Sequence, residues 1–489
     1  MSAFLSSLVE RPERGLVALI AAQAVFWSLA PALSHSAPPL DVVEMYAWGR
    51  EGVVATFKHP NLPGLVLEGV RRGTGLTAWQ AAFFVSQLFI GLTLWSVFAL
   101  GRELMDGKRA LAGALLLTGV VFFSWPTTEF NHNVAQMPLW ALTCWMLWRV
   151  TTRGDLLSWL LLGVFAGLSM WAKYSSAVLL VVAAAWILWD GTARKRLLTL
   201  GPWLGLLACA AVVAPQALWL IEHDFQPFAY AARRAAGGGI GDALAFLPVE
   251  ALNHLPMALL LLAAGWFGKA AADAPAAPDT RALRFLLLLG LGPALLTAIA
   301  GALTGSGLKT AWGAPMFNLS GLLVVALLAN RFSTPRLQRL VVGAGVLLVL
   351  LPGLYFAHMR YGAHFTGEPL RGNWPQARVG RALESAWARE VPNAPLRIVA
   401  GDIWTAGLVG MTDEHPPSVW INGDPETSPW ITPERLRSEG VMMVWREGAA
   451  PPQALADTSA VPSRVIVPFD DASDSPPLRI NYLISPPAN

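Results

Sequence analysis

Two carboxylates near the start of the chain are the first residues whose types and spacing could do chemistry. Asp41 and Glu44 stand three residues apart, so on a helix they would share one face. A carboxylate at a membrane surface can act as a general base towards an acceptor hydroxyl or amine. Asp41 also follows two prolines and a leucine, which suits the N-terminal cap of a helix. The spacing alone leaves catalysis and capping as equal alternatives.

Basic side chains that could bind an anion follow at intervals. Lys58 and His59 could hold a phosphate, although a solvated turn before a helix is the favoured explanation of this pair taken alone. Lys173 lies between two apolar runs, where a lysine is costly unless it is paired or solvated, and this favours a functional role over snorkelling. The polar loop at 129–133 could line a cavity or form an ordinary turn. Three further candidates for anion binding are His223, Arg233 and Lys309. Solvated loop residues or interfacial anchors explain these three equally well.

These polar residues occur in a chain that is too apolar for an ordinary soluble protein. Hydrophobic residues make up 54% of its 489 residues and charged residues only 14%, whereas soluble domains carry roughly a quarter charged residues. Runs near the length that crosses a bilayer occur about eleven times. They lie at 15–34, 77–100, 110–125, 134–149, 156–172, 176–190, 197–220, 247–268, 283–303, 313–330 and 338–357. The length of the first run favours an uncleaved helix over a cleaved signal.

Basic residues between the runs predict the orientation. Groups such as those at 102–109 and 194–196 occur in alternate loops, which marks these loops as cytoplasmic by the positive-inside rule. The N-terminus is then cytoplasmic, and an odd number of spans places the C-terminal segment outside. The candidate carboxylates and cations fall in the outer loops. Basic residues in outer loops oppose the charge bias of membrane insertion, so their presence there requires an explanation. Binding of an anionic ligand is one such explanation.

The composition changes after residue 357 and predicts two regions. Residues 1–357 would form a transmembrane bundle, and its outer loop 35–75 carries the first candidate residues. The amphipathic stretch at 41–51 in this loop predicts a helix lying at the membrane interface. Residues 358–489 contain no run long enough to span, and strand-like and helix-like stretches alternate there, which predicts a small α/β domain outside the membrane. The strand-like stretches are 396–400, 418–421, 441–445, 465–468 and 480–484.

The two cysteines lie inside apolar runs. Because Cys144 and Cys209 are surrounded by hydrophobic residues, they predict neither a disulfide framework nor a cysteine-based metal site. Small buried hydrophobic side chains are the favoured interpretation of both.

Short motifs occur in the outer loops along nearly the whole chain. They are the segments 41–50, 58–63, 130–133, 173–175, 223–225, 312–315 and 398–404. Together these segments resemble bacterial glycosyltransferases of the protein-mannosyltransferase-like family, which have the C-type integral-membrane glycosyltransferase fold. The subgroup resembled adds sugars to lipid A or lipopolysaccharide core. It includes galacturonic acid transferases and, more distantly, aminoarabinose transferases.

The resemblance implies a fold and a role for each candidate residue. The fold would be an α-helical polytopic membrane bundle of about 11–13 transmembrane helices with a small C-terminal α/β periplasmic domain. Asp41 matches the aspartate taken as the catalytic base in this family, and Glu44 would support it or bind acceptor. The remaining candidates would bind the donor or hold acceptor groups: Lys58, His59, Lys173, His223, Arg233 and Lys309.

The implied activity is an inverting transfer of a sugar from a polyprenyl-phosphate donor to a glycolipid or glycan acceptor. It would take place on the periplasmic face of the bacterial inner membrane, with donor, acceptor and lipid bilayer as partners and no nucleic acid. No cofactor is required by these residues, although a divalent metal could be accommodated. A transporter or flippase of lipid-linked anions is the main alternative, but it predicts charges on both sides of the membrane. A non-catalytic assembly factor would leave the clustered carboxylates and cations unexplained.

Overall fold

The computed structural model describes residues 2–75, 78–236, 238–271, 274–411, 416–455, 461–469 and 476–488. Its larger part is helical. The helices of this part are α1 (Ser2–Glu10), α2 (Pro12–Ser34), α3 (Leu40–Glu51), α4 (Leu62–Thr74), α5 (Ala81–Leu104), α6 (Gly107–Leu117), α7 (His132–Thr152), α8 (Leu156–Ala172), α9 (Ala177–Trp189), α10 (Gly191–Arg196), α11 (Gly201–Glu222), α12 (Gln226–Ala236), α13 (Ile240–Leu252), α14 (Leu255–Ala263), α15 (Thr280–Thr304), α16 (Ser320–Leu327) and α17 (Thr334–Thr366).

Several of these helices can cross a bilayer. In the described residues, six spans are long and apolar enough, namely α2, α5, α11, α13 with α14, α15 and α17. A seventh span results if α6 and the short helical turns at Val121–Thr128 are counted as one segment with a bend of 89°. The predicted total of about eleven exceeds this number, because other predicted runs form shorter helices such as α8 and α9. The chain is a multi-pass membrane protein.

Small residues allow the helices of the bundle to pack closely. Gly163 of α8 lies directly against the backbone of Gly205 of α11, and Gly167 of α8 lies against Val212. Since lipid tails are as apolar as leucine, helices in a bilayer associate by such close packing rather than by the hydrophobic effect. The outer face of α11 remains exposed at Leu206, as expected for a surface in contact with lipid.

The loop at 35–75 folds into a helical hairpin that other parts of the chain cover. Its first helix, α3, ends at Gly52, which has a left-handed backbone with φ of 66°. Asn61 joins the two arms, because its Nδ2 donates to the carbonyl oxygens of Trp48 (3.1 Å) and Val53 (2.8 Å). All residues from Val42 to Gly49 are buried. Other parts of the chain therefore cover this helix, and the expectation that it lies at the membrane interface stays a prediction.

The C-terminal part is built on a five-stranded sheet. Its elements are α18 (Gln376–Glu390), β1 (Ile398–Gly401), α19 (Ile403–Val409), β2 (Ser418–Ile421), α20 (Pro433–Glu439), β3 (Val441–Arg446), β4 (Ser463–Val467) and β5 (Leu478–Ser485). The strand order is β2-β1-β3-β5-β4. The pairs of β1 with β2 and β3 are parallel, and those of β5 with β3 and β4 are antiparallel. The predicted small C-terminal sheet domain is confirmed, and each predicted strand-like stretch lies on a strand.

Arg50 of α3 attaches the sheet domain to the helical hairpin. Its Nη1 donates to the carbonyl oxygen of Pro417 at 2.8 Å, and its Nη2 donates to that of Gly410 at 3.1 Å. Nearby, Val43 of α3 lies directly against Gly407 of α19, where no side chain would fit. The helix that carries Asp41 and Glu44 is thus held from outside by the sheet domain.

Replacing Arg50 by methionine should loosen this attachment. The variant leaves two carbonyl oxygens of the sheet domain without their charged donor, which costs roughly 1.5–3 kcal/mol per hydrogen bond to a charged group. Hydrogen exchange of the backbone amides of α3 and β2 should become faster than in the unaltered protein. Arg437→Met is the matched control, since this exposed arginine pairs only with Glu434 of its own helix. Equal exchange rates in both variants would contradict the role given to Arg50.

Candidate active site

Asp41 lies in the first turn of α3, and a side chain of the loop at 129–133 holds its carboxylate. The Nδ2 of Asn131 donates to Oδ2 of Asp41 at 2.8 Å. The other amide atom, Oδ1 of Asn131, accepts from the backbone N–H groups of Asn133 (2.9 Å) and Val134 (3.2 Å), and so caps α7. Because this cap fixes the amide of Asn131, it also orients Asp41. The cap position of α3 is Pro39 and not Asp41, so the capping alternative for Asp41 is wrong. The Glu129 carboxylate instead accepts a hydrogen bond from the backbone N–H of Asp41.

Glu44 and Lys58 form an ion pair inside the helical hairpin. The Lys58 ammonium donates to both carboxylate oxygens of Glu44 at 2.9 Å. Burial opposes the charge on Lys58, but the Glu44 carboxylate outweighs this effect, so the pKa of Lys58 is raised. The Lys58 ammonium also lies 5.9 Å from the centre of the Trp48 ring. The ion pair with Glu44 therefore fixes the position of the Lys58 charge.

His59 lies against a second histidine. The ring centres of His59 and His132 are 4.4 Å apart, and Nε2–H of His132 donates to the carbonyl oxygen of Pro60 at 2.9 Å. Burial lowers the pKa of each histidine well below its usual value, and nearby lysine charges lower it further. Both imidazoles are therefore neutral near pH 7, and His59 could contact a phosphate only as a neutral donor. The described residues contain no group of three or more His, Cys, Asp or Glu side chains arranged to hold a metal ion.

Lys173 is a buried cation without a carboxylate partner among the described residues. It occupies the linker between α8 and α9, where its ammonium donates to Oδ1 of Asn133 at 2.7 Å. The same ammonium lies 5.8 Å from the centre of the Trp312 ring. Burial lowers the pKa of Lys173 to about 8, although the nearby Asp41 carboxylate raises it. Since its hydrogen-bond partner is a neutral amide, this charge remains available to an anion.

A cavity of about 550 Å³ opens beside Asp41. This volume is within the usual range for small-molecule sites. Polar residues in its wall include Asp41, Glu129, Asn131, Asn133 and Arg371. Burial raises the pKa of Glu129 to about 7, and the neighbouring Asp41 carboxylate contributes to this shift. The cavity thus contains one firmly positioned carboxylate, a second acid that is partly protonated near pH 7, and one permanent cation.

None of the six predicted donor-binding residues is in the lining of this cavity. Nδ1–H of His223 donates to the carbonyl oxygen of Trp219 at 2.9 Å, and the His223 ring stacks on the Trp219 ring with centres 4.1 Å apart. Arg233 on α12 and Lys309 are both exposed. Helix α12 nevertheless adjoins the helical hairpin, because the ring centres of Tyr230 and His59 are 6.4 Å apart. Thr310, next to Lys309, lines the cavity. The roles of His223, Arg233 and Lys309 stay predictions.

The sequence indicated two neighbours of Asp41 only weakly and gave no indication of a third. Asn131 and Glu129 stand in the loop at 129–133, for which cavity lining and an ordinary turn were equal alternatives; their polarity between two apolar runs was the available signal. Arg371 carries no such signal, because it follows the last long helix and is one of many charged residues in that part of the chain.

Comparison with known proteins gives three sequence matches. The model of the family described as dolichyl-phosphate-mannose-protein mannosyltransferase matches residues 58–219. The lipopolysaccharide core galacturonosyltransferase RgtB of Rhizobium johnstonii is 27% identical over 432 residues, which cover 81% of this chain and 82% of that protein. The lipopolysaccharide core galacturonosyltransferase RgtA of the same organism is 30% identical over 153 residues, 31% of this chain and 30% of that protein.

A solved structure has the same overall fold. The crystal structure of ArnT from Cupriavidus metallidurans, bound to undecaprenyl phosphate, matches with a TM-score of 0.63 at 15% identity. The match covers 95% of this chain and 97% of ArnT. This likeness confirms the predicted fold class of a helical membrane bundle followed by a small sheet domain. The sequence matches confirm the family resemblance predicted from the loop motifs.

Replacing Glu44 by glutamine should destabilise the helical hairpin. The change leaves the Lys58 ammonium without a carboxylate in a largely buried place, which typically costs about 3–5 kcal/mol. The midpoint of thermal unfolding of the purified protein in detergent should fall. Adding Lys58→Met to the same chain removes the unpaired charge and should recover much of the loss. If the double variant is no more stable than Glu44→Gln, the ion pair is not what holds this loop.

Proposed function

We propose that this chain, which is a glycosyltransferase of the protein-mannosyltransferase-like kind, transfers a sugar from a polyprenyl-phosphate donor to lipopolysaccharide or a related envelope glycan. The donor class is supported by the match to the dolichyl-phosphate-mannose-protein mannosyltransferase family and by ArnT, a protein of the same fold that was solved with undecaprenyl phosphate. The acceptor class is supported by the two relatives that act on lipopolysaccharide core. The observation that carries the proposal is Asp41 in the wall of the cavity, near the buried cation Lys173.

Asp41 acts as the general base in the proposed mechanism. Its carboxylate, oriented by Asn131, takes the proton of the acceptor hydroxyl. The hydroxyl oxygen forms a bond with the anomeric carbon of the donor while the bond from that carbon to the phosphate oxygen breaks. The anomeric configuration is inverted, and polyprenyl phosphate leaves with the bonding electrons. Glu44 supports this arrangement by holding Lys58 in place on the same hairpin.

Lys173 stabilises the phosphate in this mechanism. Negative charge grows on the phosphate as it leaves, and a fixed cation in a water-poor site stabilises such charge more strongly than solvent does. Lys173 can turn towards the phosphate because its present partner is a neutral amide. Lys58 contributes at longer range, since Glu44 already accepts two of its hydrogen bonds. The other proposed donor-binding residues are His59, His223, Arg233 and Lys309.

The proposed location is the bacterial inner membrane, with the N-terminus cytoplasmic and the site on the periplasmic side. Several loops opposite the site carry basic residues, which the positive-inside rule assigns to the cytoplasm. Residues 1–357 then form the transmembrane transferase bundle, with catalytic loop 35–75, and residues 358–489 form a periplasmic domain. The predicted alternative, a transporter or flippase, is disfavoured because the matched family and relatives are transferases.

Replacing Asp41 by asparagine should abolish transfer while leaving the protein folded in the membrane. The amide cannot accept the proton, and loss of a general base typically costs on the order of 10²–10⁴-fold in rate. The rate is measured with polyprenyl-phosphate galacturonate as donor and lipopolysaccharide core as acceptor. Glu426→Gln, which removes one exposed carboxylate from the sheet domain, should transfer at the normal rate. Turnover by Asp41→Asn close to that of Glu426→Gln would remove Asp41 from the role of base.

Donor binding should weaken as the pH rises through about 8, where Lys173 loses its proton. The charged form, which exists below this pKa, is the one that attracts the phosphate, so the KM for the donor should be low below pH 8 and rise above it. Lys173→Arg should shift this rise to higher pH, because a guanidinium keeps its charge. Lys173→Met should have a high KM at every pH. A donor KM that rises with pH equally in the unaltered protein and Lys173→Met would count against this role.

A further inference from the structure

Arg371 is an unpaired cation in the wall of the cavity that contains Asp41. It is the one lysine or arginine that lines this cavity among the residues the structure describes. Its guanidinium forms no hydrogen bond or ion pair with a side chain in that part of the protein, and it lies 5.9 Å from the centre of the Trp404 ring. Glu129, in the same wall, is close enough for its pKa to respond to the charge on Arg371.

The backbone that carries Arg371 is fixed relative to Asp41. The carbonyl oxygen of the next residue, Gly372, accepts from the backbone N–H groups of Ser36 (2.7 Å) and Ala37 (3.0 Å), which precede α3. On the other side, Nδ2 of Asn373 donates to the carbonyl oxygen of Met359 in α17 at 2.9 Å. Arg371 is therefore held at the junction between the last long helix and the loop that begins the active site. Its side chain, in contrast, is free to meet a ligand.

A guanidinium in this position matches a carboxylate. Its fork of N–H groups can donate two parallel hydrogen bonds to the two oxygens of one carboxylate, which a lysine cannot do. A donor that carries an acidic sugar has two anionic groups, the phosphate and the sugar carboxylate. The cavity region offers two available cations, namely Lys173, bound to Asn133 in the wall, and Arg371.

We propose that Arg371 selects an acidic sugar by binding its carboxylate in the cavity beside Asp41. This inference rests on the proposed function, because it assumes that a sugar is transferred there. The carboxylate can belong to a uronic acid on the donor or to an acidic sugar of the acceptor. The competing explanation is that Arg371 only balances the charges of Asp41 and Glu129, in which case its loss would affect every substrate alike.

The test compares donors and acceptors that differ only in the carboxylate. Full-length protein in lipid nanodiscs receives either polyprenyl-phosphate galacturonate or polyprenyl-phosphate galactose, which carries CH₂OH in place of the carboxylate. Each donor is combined with lipopolysaccharide core acceptor in its native form or with its sugar carboxylates reduced to alcohols. The value of kcat/KM is measured for the unaltered protein, Arg371→Gln and Arg371→Lys. Arg381→Gln, which alters an exposed arginine of α18, is the matched control.

The unaltered protein should prefer the galacturonate donor, and Arg371→Gln should lower kcat/KM for that donor by about 10–100-fold, as expected for loss of a charged hydrogen bond. The same variant should change kcat/KM for the galactose donor by less than about threefold. Arg371→Lys should retain part of the preference because it retains the charge. If Arg371→Gln instead lowers kcat/KM only with the acceptor that keeps its carboxylates, Arg371 binds a carboxylate of the acceptor. An equal loss for all four combinations would overturn the inference.

Failure of this inference differs from failure of the proposed function. If the unaltered protein transfers neither sugar and Asp41→Asn gives the same zero rate, the transferase proposal fails together with the inference. If the unaltered protein transfers sugar and only Asp41→Asn is inactive, while Arg371→Gln behaves like Arg381→Gln, the proposed function stands. The carboxylate role of Arg371 is then wrong.

Discussion

The buried ion pair between Glu44 and Lys58 is the interaction on which the rest of the site depends. Removing two charges from water costs several kcal/mol per ion, and this cost is recovered only when the partners meet in good geometry. The pair therefore enforces one arrangement of the helical hairpin, with the loop after α3 folded back onto it. That arrangement places His59 against His132 and leaves Asp41 one helical turn away, facing Asn131.

Several charged groups that are shielded from solvent in the described part of this protein are paired within the chain. Arg281 pairs with Asp190 at 2.8 Å, and Glu68 accepts from two arginines of its own helix. Lys173 and Arg371, by contrast, have no carboxylate partner among the described residues, and both adjoin the cavity. Lys173 is buried, where an uncompensated cation is costly, so it indicates a ligand that carries negative charge. The exposed Arg371 adds a second positive charge in the wall of the same cavity.

The sheet domain has a structural part in the site even though it holds neither the base nor Lys173. It covers the outer face of α3 and is anchored there by Arg50. The segment that enters the domain carries Arg371 into the cavity wall. Membrane bundle, loop hairpin and sheet domain thus meet around Asp41, and a change in the seating of the domain would alter the position of the reacting groups.

The sequence by itself determined the fold class and the positions of most helices and strands, and it singled out Asp41 and Glu44 as candidate residues. These follow from local properties, namely apolar runs, alternating patterns and the spacing of charges within a few residues. Only the tertiary structure decided that α3 is buried, that Glu44 binds Lys58, and that Glu129 and Arg371 share a cavity with Asp41. Several predicted runs form shorter or bent helices. Contacts between residues hundreds of positions apart depend on how helices and sheet pack, and no local pattern records that packing.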